Sequence, residues 1–190
     1  AGEWIHNLKA PVTVEVGNHD LPYFNLYERF RHPYRRYSRI EDKVEAEINL
    51  PGVSVVPLKT TARAQLRLNW SKGKVSGDAL RESLRTLRSL PADTVKLIAA
   101  HHPLVDADTR SSGSTRGGLK ALMALQEAGA AAVLTGHVHD PFDIERPTGS
   151  GSVRLIGAGT LSERVRENPP SYNRITIDGS AIDVEAQYMA

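Results

Sequence analysis

Histidines in this chain stand directly after short apolar runs. The run Val95–Ala100 is continuous and is followed at once by His101 and His102, and a second run ends just before His137 and His139. Apolar runs of this length are typical of buried strands in a parallel sheet. Residues that follow parallel strands meet at one sheet edge, where α/β proteins bind ligands. The sequence therefore predicts an α/β fold in which histidines converge.

A third run of this kind lies near the start of the chain. Residues 12–16 read V-T-V-E-V and predict a short buried strand that leads into Gly17, Asn18, His19 and Asp20. Gly17 is expected to permit a sharp turn, since glycine adopts backbone angles that other residues avoid. Asp20 is positioned to hold the His19 imidazole in one orientation.

The spacing of the last two histidines suits a metal ion. His137 and His139 are two residues apart, so on an extended segment their side chains share a face and can reach one ion or an adjacent pair. Gly136 is expected to clear room for a close backbone approach. Cysteine is absent, which excludes thiolate sites, so the ligands would be His, Asp, Glu or Asn.

Charge and hydropathy narrow the class of protein. The formal net charge is +2, too close to neutral to predict a nucleic-acid partner. No apolar run approaches the roughly 18 residues that cross a bilayer, so no membrane span is predicted. Together with the lack of cysteine, these features favour a cytoplasmic protein.

An aromatic and arginine-rich segment follows the first histidine. Its aromatic residues recur at helical spacing with arginines between them, and Pro33 is expected to divide the helix. We interpret the aromatic side as facing the core and the arginines as solvated. The alternative is a stacking and phosphate-binding surface for nucleic acid. The aromatic residues are Tyr23, Tyr27, Phe30, Tyr34 and Tyr37.

Caps and turns predict the remaining elements. Ser76 is expected to cap a helix that stops at Pro91, and Gly129 to end a later helix over residues 119–125. A loop is expected over residues 106–118, and an antiparallel sheet with a hairpin at Asp178 and Gly179 near the end. Further strands are predicted at residues 45–50 and 53–58, joined by a turn at Pro51 and Gly52, and at residues 131–134, 153–156, 173–177 and 181–186.

Three blocks, in order, resemble the last three motifs of the calcineurin-like metallophosphoesterase family. They read Gly17-Asn18-His19-Asp20, His101-His102-Pro103 and Gly136-His137-Val138-His139. Their spacings fit bacterial members that resemble class III cyclic nucleotide phosphodiesterases. The resemblance implies one domain over residues 1–190, an α/β sandwich of two mixed β-sheets flanked by helices.

The resemblance also implies a dinuclear metal centre. Asn18, His101 and His137 would bind one of two divalent ions and His139 the other. Mixed histidine, asparagine and carboxylate ligands suit manganese, iron or zinc. In such a centre the ions clamp phosphate oxygens and share a bridging hydroxide that attacks phosphorus.

Catalytic roles are implied in the same way. His19 would protonate the leaving oxygen of the phosphoester, with Asp20 orienting its ring. His102 has no ligand role in the family, and we interpret it as a supporting or structural residue. The substrate would be a small phosphorylated molecule.

Two motifs of the family are missing from the sequence. An Asp-x-His block and a Gly-Asp-x-x-Asp block precede Gly17 in the family, and neither occurs here. Gly77 and Asp78 do not complete the second, because Arg81 stands where its last Asp belongs. We therefore expect a C-terminal portion of the domain, truncated at its N-terminus with upstream strands missing. This fragment alone is expected to be inactive, and the phosphoesterase to work only when the missing part completes it.

Two alternatives remain open at this point. One is a nuclease of the same superfamily, although nucleic acid is the less favoured partner. The other is a non-catalytic interaction module built on the same scaffold.

Overall fold

The computed structural model describes residues 3, 5, 7–22, 24–44, 48, 50–62, 69–107, 109, 115–149, 151–161 and 169–189. Within these ranges the chain forms a 3₁₀ turn at Asn18–Asp20, four helices and seven strands. The helices are α1 (Leu26–Arg31), α2 (Arg35–Val44), α3 (Gly77–Ser89) and α4 (Gly118–Glu127). The strands are β1 (Val53–Pro57), β2 (Val95–Ala100), β3 (Ala130–Thr135), β4 (Phe142–Thr148), β5 (Gly151–Gly157), β6 (Ser171–Asp178) and β7 (Ala181–Tyr188).

Five strands form one mixed sheet in the order β1-β2-β3-β5-β4. β1, β2, β3 and β5 run parallel, and β4 pairs antiparallel to β5. β2 has its predicted bounds and is buried along nearly its whole length, as expected for a strand with a neighbour on each side. Because β2 and β3 point the same way, His101 and His137 emerge at one sheet edge, which confirms the predicted convergence of these two histidines.

Helices cover one face of this sheet, and a hairpin covers the other. α3 and α4 share a core with β2 that includes Leu87, Leu122 and Ile98. β6 and β7 form a second, antiparallel sheet of two strands, from which Ile175 packs against the cluster that contains Leu97. The described residues thus form an α/β sandwich of two sheets flanked by helices, and the predicted fold class is confirmed.

Local signals set the ends of two helices. The Ser76 hydroxyl accepts a hydrogen bond from the Ala79 N–H at 3.1 Å, so α3 begins where its cap predicts. Gly129 follows α4 with a φ of 88°, a conformation that glycine adopts without steric cost. Among the helices of the described segments, none is long and apolar enough to cross a membrane.

Residues 12–16 do not form the predicted strand. Val12 makes an isolated bridge, and residues 13–16 belong to no strand. Val16 is buried, and the Tyr37 hydroxyl donates to the Val14 carbonyl oxygen at 2.7 Å. β-branched residues favour extended backbone, but only a neighbouring strand turns it into sheet. In residues 12–16, the burial of Val16 and the hydrogen bond from Tyr37 hold the backbone in place.

The predicted burial of the aromatic segment is wrong in α1, whereas around α2 the tyrosines are partly buried and the arginines are exposed. The helix divides around Pro33 as predicted, but Tyr27 is 76% exposed and Phe30 50%, whereas Arg29 is only 3% exposed. The Arg29 guanidinium donates to the carbonyl oxygen of Pro22 at 3.0 Å and lies over the Trp70 ring. These partners offset the cost of burying its charge. The helical spacing identified an aromatic face but did not show which face of the helix is buried. Tyr23, also named in the prediction, lies outside the described residues.

The sheet differs from prediction at two strands. β4 was not predicted, because alternating polar residues and Pro147 obscure it. β5, predicted within an antiparallel sheet, pairs parallel to β3 on one side. The predicted hairpin of β6 and β7 is confirmed, with Gly179 at its turn. Most of the strand predicted at residues 45–50, and residues 108 and 110–114 of the predicted loop, lie outside the described residues.

Candidate metal centre

Three segments far apart in sequence bring polar side chains to one point. Asn18 lies in the 3₁₀ turn and is buried, His101 follows β2, and His137 follows β3. The Gly136 N–H donates to the His101 carbonyl oxygen at 3.1 Å, which ties together the ends of the two neighbouring strands. The sheet therefore positions two of these side chains, and the turn supplies the third.

The donor atoms of these side chains form a small triangle. Asn18 Oδ1 lies 2.8 Å from His101 Nε2 and 3.1 Å from His137 Nδ1, and the two nitrogens are 3.3 Å apart. Ligand atoms about 2.1 Å from one ion are separated by roughly 3.0 Å in octahedral geometry and roughly 3.4 Å in tetrahedral geometry. The three atoms have the spacing of ligands on a common ion, so the residues fit a metal site.

Burial keeps His101 in the form that binds metals. Burial is the main cause and neighbouring imidazoles a smaller one, and together they lower the pKa of His101 to about 3. A neutral imidazole offers the lone pair that a metal requires. The contributing neighbours are His102, His137, His19 and His139. His19 and His139, predicted from sequence as site residues, thus lie within electrostatic range of His101.

Gly17 is required for space rather than for backbone freedom. Its φ of −94° is ordinary for any residue, so the sharp-turn explanation from sequence is wrong. A Cβ at this position would lie 2.9 Å from Cε1 of the His101 ring. Gly136 differs, because a Cβ there would meet only the His101 carbonyl oxygen at 3.9 Å, an ordinary contact. The expected need for glycine at Gly136 is not supported.

We expect Gly17→Ala to weaken metal binding. The added methyl group must displace the His101 ring, and disturbing the support of a ligand costs about 10-fold to 100-fold in affinity. Gly136→Ala is the matched control, since it adds the same methyl group beside His137 in open space, and its affinity should equal that of the wild type. Isothermal titration with Mn²⁺ measures both. Equal affinities for the two variants would contradict the steric account.

His137 and His139 both adopt left-handed backbone conformations. Their φ values are 66° and 59°, which are uncommon for residues other than glycine. Val138 between them is buried at 2% exposure and anchors the segment. Strained conformations of this kind cluster at functional sites, where surrounding packing enforces them. The segment therefore stores strain while presenting two imidazoles.

Glycine at position 139 should give a more stable protein than alanine. Both His139→Gly and His139→Ala remove the imidazole, but only alanine keeps a Cβ in the left-handed conformation, at a cost of about 1 kcal/mol. Urea unfolding in the presence of a chelator measures the difference. At His32, whose φ is −139°, a Cβ carries no such cost, so His32→Ala should be more stable than His32→Gly. Equal stability of the two variants at position 139 would refute the strain.

Comparison with known proteins agrees with this geometry. A sequence model of the calcineurin-like phosphoesterase family matches residues 1–141. The chain belongs to this family. The matched range contains all three donors of the triangle, together with His19 and His139. As a calcineurin-like phosphoesterase, the chain is a domain of the metal-dependent type that hydrolyses phosphoester bonds. No curated protein matches it.

Asp20 of this calcineurin-like phosphoesterase has a hydrogen-bond partner within its own turn. The Asp20 carboxylate accepts a hydrogen bond from the Gly17 N–H at 2.8 Å and so closes the 3₁₀ turn that carries Asn18. Among the contacts of the described residues, no hydrogen bond joins His19 to this carboxylate, and the orienting role of Asp20 toward His19 stays a prediction. Asp20 therefore shapes the turn that holds a donor of the triangle.

A third histidine stands beside the triangle. Ring nitrogens of His101, His102 and His137 all lie within 4.8 Å of one another. The partners of the His102 ring, Thr60 and Ser71, could not be found from the sequence. They lie on connecting segments without a recognisable motif, and only the folded chain brings them to the end of β2.

Proposed function

We propose that Asn18, His101 and His137 hold a divalent metal ion in a phosphoesterase site. The triangle of their donor atoms is the observation that carries this proposal. Two imidazole nitrogens and one amide oxygen suit manganese, iron or zinc better than calcium or magnesium, which prefer oxygen ligands. When bound, such an ion acts as a Lewis acid that stabilises charge on phosphoryl oxygens.

We further propose that His139 serves a second ion, which would make the centre dinuclear. Its electrostatic influence on the pKa of His101 supports a position beside the first ion. The strained backbone at His139 supports it as well, because the strain is expected where function requires a fixed side-chain direction. Two adjacent ions fit hydrolysis of a small phosphorylated substrate, including the phosphodiesters cleaved by class III cyclic nucleotide phosphodiesterases.

We propose His19 as the proton donor of the reaction. It follows Asn18 directly, and its electrostatic effect on the pKa of His101 supports a place near the ion without a place in the triangle. An imidazole so placed is suited to protonate the leaving oxygen as the phosphoester bond breaks.

Hydrolysis of a nitrophenyl phosphodiester by the natural full-length protein tests the proposal. Activity should be lost in a chelator and restored by Mn²⁺, Fe²⁺ or Zn²⁺, with bound metal measured in parallel by elemental analysis. Hydrolysis that persists in metal-free protein would contradict the proposal. Metal-loaded protein that hydrolyses no phosphoester would instead favour a non-catalytic interaction module.

A nuclease is a second candidate, favoured by one observation. Phe24, Tyr27 and Phe30 are 95%, 76% and 50% exposed and so lie on the surface, not in the core. Exposed aromatic rings next to arginines can stack on the bases of single strands. Cleavage of a single-stranded oligonucleotide, and binding that falls steeply with salt, would support this candidate. Hydrolysis of small esters without oligonucleotide cleavage would exclude it.

A further inference from the structure

His102 lies behind the candidate metal ligands. It is 2% exposed, which is unusual for a histidine. Its ring centroid lies 4.6 Å from that of His101 and 4.4 Å from that of His137. One buried ring therefore contacts both of the imidazoles that point at the ion position.

The hydrogen bonds of His102 use both of its ring nitrogens. Nε2 lies 2.8 Å from the Ser71 carbonyl oxygen, which can only accept, so Nε2 carries the hydrogen. Nδ1 then accepts a hydrogen bond from the Thr60 hydroxyl at 2.9 Å. The oxygen of that hydroxyl also accepts a hydrogen bond from the backbone N–H of His102 at 3.1 Å. The ring has no lone pair left for a metal ion.

We propose that His102 is a positioning residue, which holds the rings of His101 and His137 in the orientation that lets them share an ion with Asn18, and that it is not itself a ligand. The inference rests on the metal site proposed above. His102 joins three segments to do this: the end of β2, the residues after β1 through Thr60, and the connection through Ser71.

The surroundings of His102 leave no spare room. A Cβ on Gly73 would lie 2.7 Å from the His102 Cβ, so the backbone of the neighbouring segment already touches the ring's base. Removing the ring would leave a hole against both predicted ligands, and their imidazoles could then turn. Residues that orient ligands in this way typically contribute about 10-fold to 100-fold in metal affinity.

Titration of the full chain with Mn²⁺ tests this proposal. His102→Ala should raise the Kd by about 10-fold to 100-fold, and His102→Gln, which can keep the N–H toward Ser71, should recover part of the loss. Thr60→Val keeps the His102 ring but removes the hydroxyl that bonds its Nδ1 and its backbone N–H. It should give a smaller rise in Kd, which preserves the test if His102→Ala does not fold. Leu87→Ala is the control for lost stability, because Leu87 lies on α3 and is fully buried in the core. Its Kd should not change.

Two further readouts separate the possible failures. In Co²⁺-loaded protein, each histidine ligand gives a hyperfine-shifted N–H signal, and His102→Ala should keep all signals of the wild type. A lost signal, or an unchanged Kd, would overturn the proposal. A crystal structure of metal-free His102→Ala should show the triangle of Asn18, His101 and His137 opened, and an intact triangle would also overturn it. Wild-type protein that binds no metal would refute the proposed function instead.

Discussion

His101→Ala is expected to abolish metal binding at the three-ligand position. The variant removes one of three donor atoms that lie 2.8 to 3.3 Å apart. The adjacent His102 cannot replace it, since both of its ring nitrogens are hydrogen-bonded. The Kd should therefore rise by more than the roughly 100-fold expected for a residue that only supports a ligand. Isothermal titration with Mn²⁺ and Zn²⁺ provides the measurement.

Variants at Asn18 and His32 test whether the loss of metal binding is specific to the three donor atoms. Asn18→Asp keeps an oxygen donor at the same place and adds a negative charge, so it should bind metal, whereas Asn18→Leu should not. His32→Ala removes an exposed histidine from the end of α1 and should leave the Kd unchanged. Binding by His101→Ala that matches the wild type would show that the triangle does not hold the ion.

His19→Ala is expected to reduce catalysis according to the leaving group. Loss of a general acid costs about 100-fold to 10,000-fold in rate where the leaving oxygen needs a proton. An alkyl phosphoester has such a leaving group, but nitrophenolate departs without help. The kcat of the natural full-length protein should fall by this factor on an alkyl ester and only slightly on a nitrophenyl ester. The metal Kd should stay the same.

The pair of substrates distinguishes a proton donor from a ligand. If His19 held the ion, His19→Ala would weaken metal binding and slow both esters equally. That result would contradict the role proposed for His19. His32→Ala again serves as the control, because it removes an imidazole away from the site.

Sequence alone predicted the part of the fold that positions the site. Continuous apolar runs predicted β2 and β3, and the direction of parallel strands then required His101 and His137 to meet. The cap at Ser76 predicted where α3 begins, because the interaction is local. Asn18 was added to the site through the resemblance of its motif. Its Oδ1 lies beside both histidines, and its role as a metal ligand stays a prediction.

Features that depend on distant contacts were not predictable. Arg29 is buried because Pro22, Ala62 and Trp70 supply its partners, and helical spacing carries no information about them. Position 17 requires glycine because the His101 ring lies against it, and these two residues are far apart in sequence. Residues 12–16 have the composition of a strand, but pairing depends on neighbours that composition does not specify.

Anomalous diffraction from crystals grown with Zn²⁺ or Mn²⁺ tests the shared-ion site most directly. The account predicts a peak within about 2.0 to 2.3 Å of Asn18 Oδ1, His101 Nε2 and His137 Nδ1 together. It also predicts that His102 remains hydrogen-bonded to Thr60 and Ser71. A peak bound by His102, or no peak at this position under saturating metal, would contradict the account.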